Sequence, residues 1–137
     1  MNDDEKTRDY NKAVAAFAKR YLPYKQPLLK TIENFSPELA DVVIRHGLYE
    51  IWEEMTPLLS YRDKEIATLA ALITDNTVMK EITAHTENCL IQGMSKKEVL
   101  EILTVLTLYI GVPKIINVMD AVKQAFENYD QHIKNKG

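Results

Sequence analysis

The chain has 137 residues, a net charge of −3 and 46% hydrophobic residues, which fits a globular protein with an ordinary core. Its slightly acidic balance, without clustered Lys and Arg residues, argues against nucleic acid as a partner. No apolar run reaches the roughly 20 residues that a membrane-spanning helix needs, and the polar N-terminus shows no export signal. We therefore expect a cytoplasmic protein without a membrane partner, and Cys89, the single cysteine, excludes a disulfide within the chain.

The first half of the chain predicts two helices separated by a loop. A first helix is expected over about residues 7–21, ending before Pro23. The stretch 23–35 is interpreted as a loop with a helical turn, because its prolines interrupt any longer pattern. Ser36 followed by Pro37 is a strong helix start, and the second helix runs to about residue 54.

The second half predicts four further helices, which makes about six in an all-α, single-domain bundle. Ser60 begins the third helix, and its body at residues 66–73 is apolar on nearly all sides, so deep burial is expected. The third and fifth helices carry more apolar surface than a monomer of this size covers, which predicts a homo-oligomer. The remaining helices are expected over about residues 77–93, 95–110 and 113–128, followed by a fraying polar tail.

A histidine lies within the apolar stripe of the fourth helix. Val78, Ile82 and Cys89 have the spacing of a core-facing helix face, and His85 fills the gap in it, with Glu81 one turn before. A carboxylate beside an inward-facing imidazole can set its tautomer and pKa, as a catalytic site requires. A His on an apolar face also occurs as an ordinary, satisfied core residue, so spacing alone leaves both readings open.

Five sequence segments and the Glu81/His85 pair occur in a fixed order along the chain, and this order is more specific than any one of the segments. In this order they resemble the carboxymuconolactone decarboxylase family, which also contains the alkylhydroperoxidase D-like proteins. The resemblance covers residues 36–127. The segments are SPELADVV (36–43), GLYEIW (47–52), YRDKEIATLAAL (61–72), SKKEVLEIL (95–103) and YIGVPKIINVMDAVKQAF (109–126).

The resemblance implies an alkylhydroperoxidase D-like helical fold and assembly as a trimer or hexamer. In this interpretation residues 1–137 form one domain, with a family core at 36–127 and an N-terminal helical extension at 1–35. The oligomer that the resemblance implies agrees with the excess of apolar helix surface.

The peroxidase branch of the family carries a Cys-x-x-Cys-x-x-x-His motif, which this chain lacks. Aligned on His85, the two cysteine positions are occupied by Val78 and Glu81, and Cys89 matches neither. A dithiol–disulfide cycle within one chain is therefore excluded. An antioxidant activity through Cys89 alone stays open as an alternative, although burial on the apolar stripe should raise the pKa of that thiol.

The decarboxylase branch keeps the histidine without the dithiol, as this chain does. That resemblance implies a cofactor-free lyase or isomerase acting on a small carboxylated or lactone substrate, with His85 in acid–base catalysis. Glu81 would orient the ring, and Glu65 could face the same cavity. No metal is expected, since one His with carboxylates lacks the ligand set that zinc or iron favours.

Substrate-binding candidates lie on the second and third helices. Arg62 could bind a substrate carboxylate, and His46 and Glu50 form an i,i+4 pair near Trp52, on the helix that lines the family's pocket. These charged groups could equally form solvated surface pairs. Two acids follow Trp52 where decarboxylase members carry an Arg, which argues against the family's polyanionic substrate. A non-catalytic oligomeric binding protein stays open as a third interpretation.

Overall fold

The computed structural model describes residues 1–21, 25 and 27–136. These ranges contain seven helices and no strand, which confirms the all-α prediction. Most of the expected loop before residue 27 lies outside the described residues. The helices are α1 Asp3–Tyr21, α2 Pro27–Phe35, α3 Pro37–Ala40 with a π-helical continuation over Asp41–Glu54, α4 Tyr61–Asp75, α5 Met79–Ile91, α6 Lys96–Ile110 and α7 Val112–Lys136.

The chain divides into two compact units. Unit 1 is Met1–Leu59 and unit 2 is Ser60–Gly137. The boundary therefore falls between α3 with its π-helical continuation and α4, and the stretch 36–127 that resembles the family takes in parts of both units. Each unit has its own hydrophobic cluster, as described below.

Unit 1 is built on the packing of α1 against the π-helical segment Asp41–Glu54, called the π segment below. Phe17 and Ile44 lie in its buried cluster together with Leu29 of α2. The prediction of a loop over residues 27–35 is wrong, because Pro27 stands at the first position of α2, where a proline starts a helix rather than interrupting it.

The π segment places side chains five residues apart on the same side of the helix. Its hydrogen bonds join each amide to the carbonyl five residues earlier, and the last of them runs from Met55 N to Glu50 O. As a result Glu50 contacts both Arg45, five residues before it, and His46, four residues before it. This segment therefore fixes the His46/Glu50 pair predicted from the sequence.

Unit 2 begins and turns where the sequence predicts. Ser60 accepts a hydrogen bond from the Asp63 amide, and Ser95 and Glu98 form a reciprocal capping box. Asn76 (φ 66°) and Gly93 (φ 97°) adopt the left-handed conformation that ends α4 and α5. These local devices confirm the predicted helix starts at Ser60 and Ser95.

The core of unit 2 forms where α5 packs against α4 and α7. Ile82 and Cys89 of α5 are fully buried, as the stripe predicts, but Val78 is partly exposed because the helix begins only after it.

The expectation of deep burial on all sides of α4 is wrong. Leu69 and Ile73 are fully buried, whereas the alanines at 67 and 71 are exposed.

The last helix is longer than predicted. It continues through Lys136 instead of ending near residue 128, with Val118 and Val122 as buried anchors. Asp130 pairs with Lys96 at 2.7 Å, which fastens the polar end of α7 to the start of α6. None of the helices in the described ranges has the length and apolar character needed to cross a membrane.

One side of α6 is apolar and exposed. Only Val99 and Leu103 of this helix are buried, whereas Leu108 is 80% exposed. The other exposed apolar residues of this surface, called the α6 face below, are Val105 and Tyr109 of α6 and Val112 at the start of α7.

Candidate functional site

The centre of the candidate site is a hydrogen bond between α4 and α5. Nδ1 of His85 lies 2.7 Å from Oε2 of Glu65, whose side chain is 0% exposed. Since a carboxylate accepts hydrogen bonds when it is ionised, this short contact favours hydrogen on Nδ1 of His85. This contact forms because α4 packs against α5 and brings together two residues that are 20 apart in the chain.

Glu81 lies on the other side of the ring. Its Oε2 atom is 3.5 Å from Nε2 of His85, and its side chain is 60% exposed. The carboxylate at hydrogen-bond distance is thus Glu65, while the outer carboxylate of Glu81 faces the second ring nitrogen. The ring itself is 20% exposed, so Nε2 is the nitrogen that a ligand or Glu81 can approach.

Asn88 contacts the same buried carboxylate and was missed by sequence reasoning. Its Nδ2 group donates to Oε1 of Glu65 over 3.3 Å, and the residue is buried. Position 88 lies three residues after His85, so the only signal in the sequence was a polar amide beside the inward-facing stripe. Glu65 therefore bonds His85 through one oxygen and Asn88 through the other.

Cys89 is buried beside this pair. Burial in the core, followed by the charge of Glu65, raises the pKa of its thiol to about 12, and Arg62 opposes this effect. Its position in the core agrees with the sequence interpretation of the stripe. A thiol in this environment is held in the neutral form, which is a poor nucleophile.

We expect the Cys89 thiol to resist both peroxide and iodoacetamide in the folded protein. A pKa raised from 9.0 to about 12 lowers the thiolate fraction near neutral pH about 10³-fold, and burial restricts access further. Thiol alkylation followed by mass spectrometry measures the rate. The same protein in denaturant is the control, and comparable rates in the two states would contradict the prediction.

Arg62 does not contact the His85 ring and is paired elsewhere. Its guanidinium forms an ion pair with Glu98, the capping-box residue of α6, and both side chains are about two-fifths exposed. The hydrogen bond from the Ser95 backbone, followed by the bond from Arg62, holds the pKa of the Glu98 carboxyl below its usual value.

A cavity of about 390 Å³ opens beside Arg62, between α4 and α6. Its lining does not include His85 or Glu65. The charged groups at its wall are Arg62, Glu98 and Glu101, and the apolar ones are Ile66, Ala70, Met94, Ile102, Val105 and Leu106. The cavity thus offers an apolar chamber whose wall carries one guanidinium and two carboxylates.

The remaining binding candidates belong to unit 1. Nδ1 of His46 lies 3.3 Å from Oε2 of Glu50, and the His46 side chain is about half exposed. Arg45 bonds both Glu50 and Asp41, and its guanidinium lowers the pKa of the Asp41 carboxyl. The ring of Trp52 stacks under the buried guanidinium of Arg20 at 5.0 Å. Glu50 and Trp52 are thus engaged in contacts within their own unit.

Within the ranges that the structure describes, no group of three or more His, Cys, Asp or Glu side chains is arranged to hold a metal ion. The chemistry that His85, Glu65 and Glu81 can perform together by themselves is the binding and transfer of protons.

The comparison with protein families identifies the chain. The sequence model of the carboxymuconolactone decarboxylase family matches residues 37–124. This span contains α3, the π segment, α4, α5 and α6, together with half of α7. No individual curated protein matches the chain significantly. Since the family match covers more than half of the sequence and includes Glu65, Glu81 and His85, the chain belongs to the carboxymuconolactone decarboxylase family.

Proposed function

We propose that the protein is a lyase or isomerase that acts on a small carboxylated or lactone substrate by moving a proton through His85. The observation that carries this proposal is the 2.7 Å contact between His85 Nδ1 and the fully buried Glu65 carboxylate. A buried acceptor on Nδ1 fixes the ring and leaves the Nε2 lone pair for a proton of the substrate. Membership of the family supports the reaction class.

In a decarboxylation the C–C bond to the carboxylate breaks and CO₂ leaves. The electron pair stays on the substrate, where an adjacent carbonyl delocalises it, and the carbon is then protonated. The imidazolium of His85 would deliver that proton from Nε2, and Glu65 would stabilise the positive ring before transfer. Glu81, 3.5 Å from Nε2, would return a proton to the ring from solvent. In an isomerisation the same nitrogen would remove a proton first.

The cavity beside Arg62, whose lining does not include His85, is our proposed binding place for the part of the substrate that does not react, an apolar group with one carboxylate. A substrate carboxylate would compete with Glu98 for the guanidinium. His46, Glu50 and Trp52 of unit 1 stay substrate-binding candidates from the sequence alone. Two acids follow Trp52 where decarboxylases of the family carry an Arg, so isomerisation of a monocarboxylate or an uncharged lactone fits better than decarboxylation of a polyanion.

The test is turnover by the wild-type protein of 4-carboxymuconolactone and of a panel of monocarboxylated and uncharged lactones, followed by CO₂ release and by ¹H NMR. We expect one class to turn over, with the rate falling at least a hundredfold in Glu65→Gln because the ring loses its anionic partner. Absence of turnover across the panel, or equal rates in the two proteins, would contradict the proposal.

Antioxidant activity through Cys89 is the less favoured function, because the thiol is buried and its pKa is raised. A non-catalytic binding role would retain the cavity without the chemistry. A thermal-shift screen of small organic acids, combined with the turnover assay, separates this binding role from the proposed enzyme. A binding protein is stabilised by its ligand without consuming it.

We further propose that the α6 face mediates self-association into a trimer or hexamer. Exposed apolar side chains at successive turns of a helix favour burial against a partner, and a second copy of the same face offers the same apolar side chains. This agrees with the assembly that the family resemblance implies.

We expect Leu108→Glu to reduce the mass of the assembly, because a charge would be buried at the contact between copies. Light scattering coupled to size exclusion measures the mass. Ile133→Glu, on an exposed apolar residue of α7 outside the α6 face, is the matched control and should leave the mass unchanged. A monomeric wild type, or an unchanged mass in Leu108→Glu, would refute this role for the face.

A further inference from the structure

We propose that Asn88 is a positioning residue that holds Glu65 against His85 and so fixes which ring nitrogen carries hydrogen. This inference rests on the proposed function of His85, and it adds a residue that neither the family motif nor the sequence pattern assigns.

The Asn88 amide points its NH₂ group toward the Glu65 carboxylate, and this orientation leaves its own oxygen without a hydrogen bond from the part of the chain that the structure describes. Asn88 Nδ2 donates to Glu65 Oε1 over 3.3 Å, while Oδ1 is buried and has no hydrogen-bond partner among the described residues. An unpaired buried carbonyl costs stability. The opposite orientation would set Oδ1 against Oε1, two acceptors facing each other, which is worse still. The amide is therefore constrained by Glu65 and not by a second partner.

The two oxygens of Glu65 are divided between two donors. Oε2 faces Nδ1 of His85 at 2.7 Å and Oε1 faces the Asn88 amide. With Oε1 held, the carboxylate cannot rotate freely about its last bond, so Oε2 stays in line with the ring. Fixing this hydrogen bond favours the tautomer with hydrogen on Nδ1 and the lone pair on Nε2.

Three neighbouring groups make contacts of their own. Glu81 contacts the ring at Nε2, on the opposite side from Glu65. Arg62 is engaged with Glu98, and Cys89 carries a neutral thiol because its pKa is raised to about 12. Asn88 is a neutral donor of α5 that touches the buried carboxylate, and it would act through Glu65 without touching the substrate.

The test replaces Asn88 by Leu, which has a similar size and no donor, and records the ¹⁵N NMR shifts of the His85 ring. In the wild type we expect hydrogen on Nδ1 and a free Nε2. In Asn88→Leu we expect a mixture of both tautomers and a kcat about tenfold lower, since the donor that holds Oε1 of Glu65 is removed. KM should stay unchanged, because position 88 is buried away from solvent.

A merely structural role predicts a different result. If Asn88 only stabilised the fold, Asn88→Leu would lower the melting temperature and leave the tautomer unchanged. We instead expect a melting temperature within about 4 °C of the wild type, because the unpaired Oδ1 is removed together with the donor. Asn128→Leu is the matched control. It deletes an Asn–Glu hydrogen bond to Glu87 on the same helix, together with the bond that Asn128 accepts from Gln124, but it keeps the Asn88–Glu65 contact and should leave the His85 ring unchanged.

The outcomes also separate this inference from the proposed function. The NMR readout needs no substrate, so a shifted tautomer without any turnover would support the role of Asn88 and contradict the lyase or isomerase. An identical ring in both proteins, or hydrogen on Nε2 in the wild type, would overturn the positioning role even if turnover is found. If Asn88→Leu fails to fold, Asn88→Met removes the donor with a more adaptable side chain, and the same readout decides.

Discussion

His85→Gln is expected to lower kcat/KM on the accepted substrate by about 10²–10⁴-fold. This is the usual contribution of a positioned general acid or base. Gln keeps a polar side chain that can reach Glu65, so the change removes the titratable nitrogens with little change in volume. The loss should appear in kcat, since Nε2 contributes mainly to the step in which the proton moves.

The matched control is His132→Gln, a histidine near the end of α7 that the proposal does not use. It should retain wild-type rates. Steady-state assays of both variants measure the effect, and circular dichroism checks that both are folded. Turnover that survives in His85→Gln would assign the proton transfer to another group and would favour a role of the Glu65–His85 pair in packing alone.

Local signals in the sequence predicted the helix boundaries well wherever a capping side chain defines them. Ser36, Ser60 and Ser95 each accept a hydrogen bond from a backbone amide at the start of a helix, as their positions in the sequence predict. The same local logic failed at Pro27, because a proline at the first turn of a helix and a proline in a loop look alike without their neighbours.

The candidate site was only half predictable, for a physical reason. The period of the stripe shows that His85 faces inward, since that depends on residues of its own helix. Which carboxylate meets its Nδ1 depends on how α4 packs against α5, and the sequence-adjacent Glu81 appeared the natural partner. Asn88 was missed because a single buried amide leaves no periodic signal in the chain.

The second large effect concerns the stability of the buried pair. We expect His85→Leu to lower the free energy of unfolding by about 2–3 kcal/mol, because it leaves the Glu65 carboxylate buried without the ring that pairs with it. Glu65→Leu should cost less, about 1–2 kcal/mol, since the ring it leaves behind is partly exposed to water. Urea unfolding of each variant measures these changes.

The double variant Glu65→Leu/His85→Leu should recover part of this loss and end about 1–2 kcal/mol below the wild type, because the two leucines need no polar partner whereas the buried Asn88 amide loses its acceptor. Lys96→Met/Asp130→Leu is the matched cycle, on a pair with the same 2.7 Å separation whose side chains are over two-fifths exposed. Its coupling should stay below about 1 kcal/mol, since water screens exposed ion pairs. Equal coupling in the two cycles would mean that burial adds nothing to the Glu65–His85 contact. A large coupling in the buried pair alone, together with loss of turnover in the double variant, would mean that the protein keeps the Glu65–His85 pair for its chemistry and not for its stability.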